Sequence, residues 1–149
     1  NPVIDRVIKN SRSEVEHYIE RDDIRGLVKH LKEGRAVWYA PDQDYGIKHG
    51  VYAPFFGVPA ATITATSRIA RMSKAVVVPI AHYRLPGGRY RIELGEALTD
   101  FPTRDDLADA TKVNQTIEHY VNKMPEQYLW VHRRFKHQAN GENLYSRDK

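Results

Sequence analysis

The chain contains no cysteine. Thiol catalysis, disulfide staples and cysteine-type zinc sites are therefore excluded, while the compartment stays open. Long apolar runs are also missing. The longest, Ala75 to Ala81 (AVVVPIA), falls well short of the ~18 residues a membrane-spanning helix needs and has the length and β-branching of a buried strand. No signal peptide, internal repeat or low-complexity tract is visible, and no Ser-His-Asp elbow, phosphate-binding glycine loop or histidine-rich metal pattern appears. Neither sign of charge dominates: 23 basic against 19 acidic residues leave a formal net charge of +4. That excess argues only weakly for an anionic partner such as nucleic acid, phospholipid head groups or a phosphorylated glycolipid. The chain starts with Asn1-Pro2 rather than Met, which predicts that a segment upstream, with any membrane anchor it carries, is absent from this sequence.

What is present suits a folded domain. The 149 residues, 41% of them apolar and 28% charged, suffice for one domain with a real core. Val3, Val7 and Ile8 predict a short amphipathic helix over Asn1 to Arg12, and Val15 to Ile19 a brief extended piece. Asp22 and Asp23 read as caps for a helix running to about Glu33, with Ile24, Leu27, Val28 and Leu31 inward and Gly34 ending it. Arg35 to Ala40 (RAVWYA) predicts a strand stopped by Pro41. A long loop rich in glycine, proline and aromatics follows to Pro59, then a helix over Thr62 to Lys74 and a central strand over Ala75 to Tyr83, with a bulge at Pro79. Leu85 to Gly88 reads as a hairpin turn into Tyr90 to Leu94. A helix capped by Asp105-Asp106 reaches about Lys123, its inward face Leu107, Ala110, Val113, Ile117 and Val121. The strand–helix–strand order implies a right-handed parallel crossover with one antiparallel addition.

The chemistry concentrates where the first predicted strand ends, at Asp42-Gln43-Asp44, since acidic groups at the carboxyl end of a strand are a usual layout for an α/β active site. Three readings stand side by side: an aspartyl nucleophile of the phosphatase type, although Tyr45-Gly46 replace the residues usual after it; a DxD site for a hard cation; or a loop whose aspartates cap neighbouring amides. His17 and Asp22 have the His-x4-Asp spacing in which an acid orients an imidazole base, but with seven histidines in the chain chance supplies such pairs and Asp22 already serves as a cap. Lys48-His49 reads either as a cationic site for a phosphate or a thioester-linked carrier, or as a solvated pair in the loop. His132-Arg133-Arg134-Phe135-Lys136, with Tyr128 and Trp130 nearby, suits a membrane interface or an anionic sugar-lipid. The plainer alternative is Trp130 in the core and the cations in water.

Five stretches carry a family resemblance: NPVID at Asn1 to Asp5, RDDIRG at Arg21 to Gly26, VWYAPDQDYG at Val37 to Gly46, VYAPFFGVPAATITATSRIARMS at Val51 to Ser73, and PEQYLWVHRRFK at Pro125 to Lys136. In this order, and over nearly the whole chain, they resemble the lipid A biosynthesis acyltransferases, with WVHRRFK closer to the lauroyl-type than to the myristoyl-type branch. The resemblance implies an α/β fold of the lysophospholipid/glycerol-3-phosphate acyltransferase kind, a mixed and mainly parallel sheet with flanking helices, incomplete at its amino terminus. On this reading residues 1–136 are the carboxyl-terminal part of a single acyltransferase domain and residues 137–149 a polar, mobile tail.

The implied reaction moves a fatty acyl chain from acyl carrier protein to a hydroxyl of a Kdo-bearing lipid A precursor, at the cytoplasmic face of the bacterial inner membrane. The partners are then the carrier thioester, the lipid A precursor and the membrane surface, with no nucleic acid and no metal or redox cofactor. Asp42 and Arg12 match the acid and arginine that accompany the family's catalytic pair. Asp44, Tyr45 and Lys48 share the motif as substrate-binding candidates, joined by Arg133 and Arg134. The family's catalytic His-x4-Glu or Asp lies upstream of NPVID, so this chain alone is expected to be inactive. After Lys136, His137-Gln138 stand in place of the family's common Thr-Arg. Two competitors remain: a non-catalytic glycolipid-binding module and a DxD metal-dependent enzyme.

Overall fold

Among the described residues, the amino-terminal unit, residues 1–37, holds two short helices. The computed structural model describes residues 1–11, 19–20, 23–142 and 144–146. Helix α1 (Pro2–Ser11) opens where the Asn1 side-chain oxygen accepts the Val3 N–H at 2.9 Å, satisfying one of the free amides of a helix start. Helix α2 (Ile24–Lys32) is capped by Asp23, whose carboxylate accepts the Gly26 N–H at 2.8 Å. The cap comes so close that a Cβ at position 26 would lie 2.2 Å from Asp23 Oδ2, which accounts for glycine in a helix that otherwise disfavours it. Gly34, at φ 80°, turns the chain out of the helix. Asp22, the other expected cap, and most of the expected extended piece at Val15 to Ile19 lie outside the described residues.

The second unit, residues 38–149, begins with a departure from the sequence reading. The run expected to be an unpatterned loop contains a β-hairpin, β1 (Gly50–Phe55) and β2 (Val58–Ile63), paired antiparallel. Its turn is Phe56-Gly57, both at positive φ (49° and 76°), the two-residue geometry whose twist matches that of the strands. Pro54 faces Pro59, a pairing that loses no hydrogen bond at the alternate, non-bonded steps of an antiparallel ladder. Those prolines hid the alternation that buries Ala53 and Phe55. Helix α3 (Ala65–Ser73) starts three residues later than expected because Thr62 and Ile63 complete β2.

The predicted turn at Leu85 to Gly88 is present between β3 (Ile80–Leu85) and β4 (Arg89–Leu94), and passes through Gly87 and Gly88 at positive φ (74° and 71°). The expected parallel crossover is not. Both sheets are two-stranded and antiparallel, and neither Arg35 to Ala40 nor Ala75 to Pro79 belongs to a strand among the described residues. The apolar composition that marked both as strands describes what a buried strand is made of but supplies no partner. Ala75 to Pro79 does engage the chain beyond β4, through Gly95 N–H to Pro79 O and Leu98 N–H to Val77 O, both 2.9 Å. On β3–β4 the register pairs Ile80 with Leu94, His82 with Ile92 and Arg84 with Tyr90. All six are exposed, so one face of this sheet presents Ile80, Tyr90, Ile92 and Leu94 to solvent.

Helix α4 (Asp106–Val121) is capped as expected: Asp105 accepts from Leu107 and Ala108 N–H at 2.9 and 3.0 Å. It packs mainly on β1. Ala110, Val113 and Val121 are buried with Ala53, Phe55, Ala60, Ala61, Ile69 and Ala70 to form the core. Two assignments on its inward face change. Leu107 is exposed, while the polar Asp109 and Asn114 are fully buried. Asp109 binds the Thr103 N–H at 2.8 Å and its hydroxyl at 2.9 Å, and Arg71 at 3.5 Å, as a buried carboxylate must be bound to remain.

Candidate functional site

The turn that carries the acidic pair has no regular structure of its own and is shaped by hydrogen bonds. Asp44 is 3% exposed. Its Oδ1 accepts the Gly46 N–H at 2.8 Å and the His137 Nδ1 at 2.7 Å, and its Oδ2 accepts the His137 backbone N–H at 3.0 Å. A carboxylate only accepts, so the imidazole proton is on Nδ1. Gly46, at φ 77°, lets the chain double back over Asp44 as few other residues do. His137 and Tyr145 both lie in the segment expected as a tail. Tyr145 OH accepts the Phe135 N–H at 3.1 Å, and the Tyr52 phenol donates to the Gln138 carbonyl at 3.3 Å.

Asp42 is half-buried, and its surroundings differ. Its carbonyl accepts the Tyr128 phenol at 3.3 Å, while no donor among the described residues binds its carboxylate. Its charge is felt nonetheless. Tyr128 is raised well above the ordinary phenol range, by burial first and then by Asp42, against a smaller opposing pull from Arg134. Nearby Tyr39 is pushed up to about 12, by burial and then by Tyr45. Of the two aspartates, Asp44 has three donors on its oxygens, and the Asp42 carboxylate has none among the described residues.

Arg134 lies beneath this turn at 1% exposure. Its guanidinium donates to the Ala61 carbonyl at 2.7 Å, to Thr62 Oγ1 at 2.8 Å and to Asn114 Oδ1 at 3.2 Å, and it sits over the Phe55 ring at 5.2 Å. Asn114 in turn donates to the Pro54 carbonyl at 2.9 Å and to Thr62 Oγ1 at 3.0 Å. Hairpin, helix α4 and carboxyl-terminal segment are thus joined at one buried polar node. Burial pulls Arg134 below the usual guanidinium range, opposed by Tyr128, Asp44 and Asp42. Its Nε has no hydrogen-bond partner among the described residues.

The predicted site residues therefore separate. Asp42, Asp44 and Arg134 come together, with Tyr128 and His137 between them. Tyr45 is exposed beside this group, as is Lys48 on the turn that follows. Arg133 is exposed too, at φ 52° and stacked 5.9 Å over the Tyr145 ring. Of the basic cluster, one arginine points outward and its neighbour is wholly internal. Arg12, His17 and Asp22 lie outside the described residues. Sequence reasoning missed Asn114, Thr62 and His137. Asn114 left a signal, a lone amide on the predicted apolar face of α4 between Ala110 and Ile117, where a polar residue needs a buried partner.

No cluster of three His, Asp or Glu side chains suited to a metal ion occurs among the described residues, and no helix among them is long and apolar enough to cross a membrane. Comparison with known proteins adds the wider context. The sequence profile of the bacterial lipid A biosynthesis acyltransferases matches residues 1–137. The chain is 38% identical over 148 residues to the lipid A biosynthesis lauroyltransferase of Escherichia coli K12, covering 95% of this chain and 47% of that protein. It is 42% identical over 127 residues to the palmitoleoyltransferase of the same strain, covering 84% and 41%, and 30% identical over 145 residues to its myristoyltransferase, covering 95% and 45%. The chain spans about half the length of the curated relatives it matches.

Proposed function

The chain belongs to the bacterial lipid A biosynthesis acyltransferase family, and from that premise we propose that the full-length protein transfers a fatty acyl chain, lauroyl, from acyl carrier protein to a hydroxyl of a Kdo-bearing lipid A precursor. The observation that carries this reading is the match across residues 1–137, which takes in the Asp42 turn and the carboxyl-terminal segment packed on it. The lauroyl assignment is supported by the 38% identity to a lauroyltransferase over 95% of the chain and by the WVHRRFK string at Trp130 to Lys136. We propose the cytoplasmic face of the inner membrane as the site of this reaction.

In the proposed reaction the acceptor hydroxyl attacks the thioester carbonyl. A base removes the hydroxyl proton, the carbon–sulfur bond breaks and the carrier thiolate leaves, taking up a proton, so that an ester replaces a thioester. The base belongs to the His-x4-acid pair expected upstream of this chain. Asp42 contributes the carboxylate left open among the described residues, in the proposed role of orienting the acceptor hydroxyl or the arginine at position 12, which would neutralise a phosphate or the developing oxyanion. Asp44 is occupied by N–H donors, which disfavours both a paired-aspartate cation site and a direct substrate contact there. Tyr45 and Lys48, exposed on the same turn, and Arg133 at the surface are proposed to meet the anionic head group or the carrier.

The same reading treats residues 1–136 as the carboxyl-terminal part of one acyltransferase domain. Arg35 to Ala40 and Ala75 to Pro79 are then strands of a larger, mainly parallel sheet that the rest of the protein completes. Their apolar composition supports the strands, and the exposed Ile80, Ile92 and Leu94 support flanking helices that cover this face.

The test is acyl transfer from lauroyl-acyl carrier protein to a Kdo-bearing tetra-acylated lipid A precursor, with this chain and with the full-length protein side by side. Transfer by the full-length protein alone is expected. If neither form transfers while both bind the precursor, the enzyme reading fails in favour of a glycolipid-binding module.

A further inference from the structure

We infer that the carboxyl-terminal segment from Tyr128 to His137 is a clamp that fixes the position of Asp42. Arg134 is its anchor and His137 its catch, and both are positioning residues for the reaction proposed above, on which the kinetic part of this inference rests. The first observation is that one segment grips the acidic turn on either side of a single intervening residue. Tyr128 binds the Asp42 carbonyl at 3.3 Å, and His137 binds Asp44 through backbone and imidazole at 3.0 and 2.7 Å. Bonds to both residues 42 and 44 leave the backbone at Asp42 little freedom. Asp44 then serves the site indirectly: its oxygens hold the turn closed, and the carboxylate two residues earlier has no donor among the described residues.

The second observation is the side chain chosen to anchor the clamp. A scaffold that had only to tie a terminal segment onto a hairpin would do so with an apolar residue, at a lower desolvation cost than a guanidinium that forms no ion pair among the described residues. Arg134 adds what an apolar residue cannot. Three directed bonds, to Ala61, Thr62 and Asn114, set the orientation of the segment as well as its depth. Its charge also lies close enough to interact with Asp42 and Asp44, in surroundings where charge is poorly screened.

The third observation sets how the inference is tested. His137 is 52% exposed at its side chain whereas that of Asp44 is fully buried. Removing the imidazole therefore opens the catch without making a core cavity, and the backbone bond from residue 137 to Asp44 remains.

The experiment compares His137→Ala and His137→Asn with the wild-type full-length protein, using lauroyl-acyl carrier protein and the tetra-acylated precursor. Misplacing a catalytic group by about 1 Å costs on the order of 100-fold. His137→Ala is therefore expected to lower kcat by about 10- to 100-fold, with KM for the precursor held within about twofold because ground-state binding is untouched. Its melting temperature should fall only modestly, because Asp44 Oδ1 keeps the Gly46 N–H and Oδ2 the residue 137 backbone N–H. His137→Asn, whose amide donates to Asp44 Oδ1, should recover most of the loss. An unchanged kcat in His137→Ala overturns the inference. So does a kcat that falls together with melting temperature and is not recovered by asparagine, since the bond is then structural only. If the wild type itself transfers nothing, the function proposed above has failed, and the clamp is read from hydrogen exchange alone. Faster exchange at the Gly46 amide in His137→Ala, with the β1–β2 amides unchanged, supports it, and unchanged exchange at Gly46 overturns it.

Discussion

His137 meets Asp44 across 93 positions of sequence with two atoms at once: its backbone N–H binds one carboxylate oxygen and its ring nitrogen the other. With the Gly46 N–H added, a fully buried carboxylate receives three donors, and the turn bearing Asp42 is closed onto the end of the chain. This relationship divides the acidic pair by role, since among the described residues the Asp42 carboxylate, unlike that of Asp44, has no donor.

The division predicts opposite outcomes for the same change at the two positions. Asp42→Asn should abolish most acyl transfer by the full-length protein while leaving stability within about 0.5 kcal/mol, because no bond to its carboxylate is lost among the described residues. Asp44→Asn places an amide where three donors converge, so at least one donor is left unmet, and should cost about 1–3 kcal/mol of stability. Denaturant melts and initial rates on both variants check this. Equal stability loss at the two positions would refute the division.

The node at Arg134 should behave as one unit. Arg134→Met removes donors from Ala61 O, Thr62 Oγ1 and Asn114 Oδ1, and Asn114→Ala removes donors from the Pro54 carbonyl and Thr62. Each is expected to destabilise by about 1–3 kcal/mol through unsatisfied buried groups. The double variant should lose less than the sum by at least about 0.5 kcal/mol, because the two side chains share Thr62 and each other. A double-mutant cycle by chemical denaturation measures the coupling, and strict additivity would show that the node is not cooperative.

Much of this was legible in the sequence and some was not, for separable reasons. Helices α2 and α4 announced themselves through caps and apolar spacing, because Asp23 and Asp105 act locally on the amides that follow them. The β3–β4 hairpin was legible through Leu85 to Gly88 for the same reason. The β1–β2 hairpin was not, since Pro54 and Pro59 broke the apparent pattern and nothing local reveals that they face one another. Asp42 stood out as a site residue. The role of Asp44 was hidden, because its partner lies at the far end of the chain and only folding brings them together. Arg134 and Arg133 are adjacent and chemically alike, and sequence gave no means to tell the buried one from the exposed one.

Alkaline stability should be limited in part by Tyr39. Its folded pKa is raised to about 12, by burial first and then by Tyr45, while an unfolded tyrosine titrates near 10. The unfolded chain therefore loses this proton first. Stability is complete below about pH 10 and is lost as pH climbs toward 12. Tyr128, raised for a similar reason, acts in the same direction. Tyr39→Phe, which cannot ionise, should shift the alkaline unfolding midpoint upward. A midpoint that does not move would remove Tyr39 from the transition.

The exposed face of β3–β4 offers a test of the larger sheet that needs no substrate. Ile92 is 68% and Leu94 69% exposed in this chain, an apolar pair that a folded surface seldom leaves contiguous without a covering partner. If the remaining half of the protein covers it, a charge at position 92 has different consequences in the two contexts. In this chain Ile92→Glu should change stability by less than about 0.5 kcal/mol, as surface substitutions do, and should raise solubility. In the full-length protein it should cost at least about 2 kcal/mol, because a buried isoleucine is worth about 1.5–3 kcal/mol and an unpaired buried carboxylate adds to that loss. Melting both forms of both proteins decides the matter. A full-length variant as stable as its wild type would mean that the face stays open and that no flanking layer packs on it.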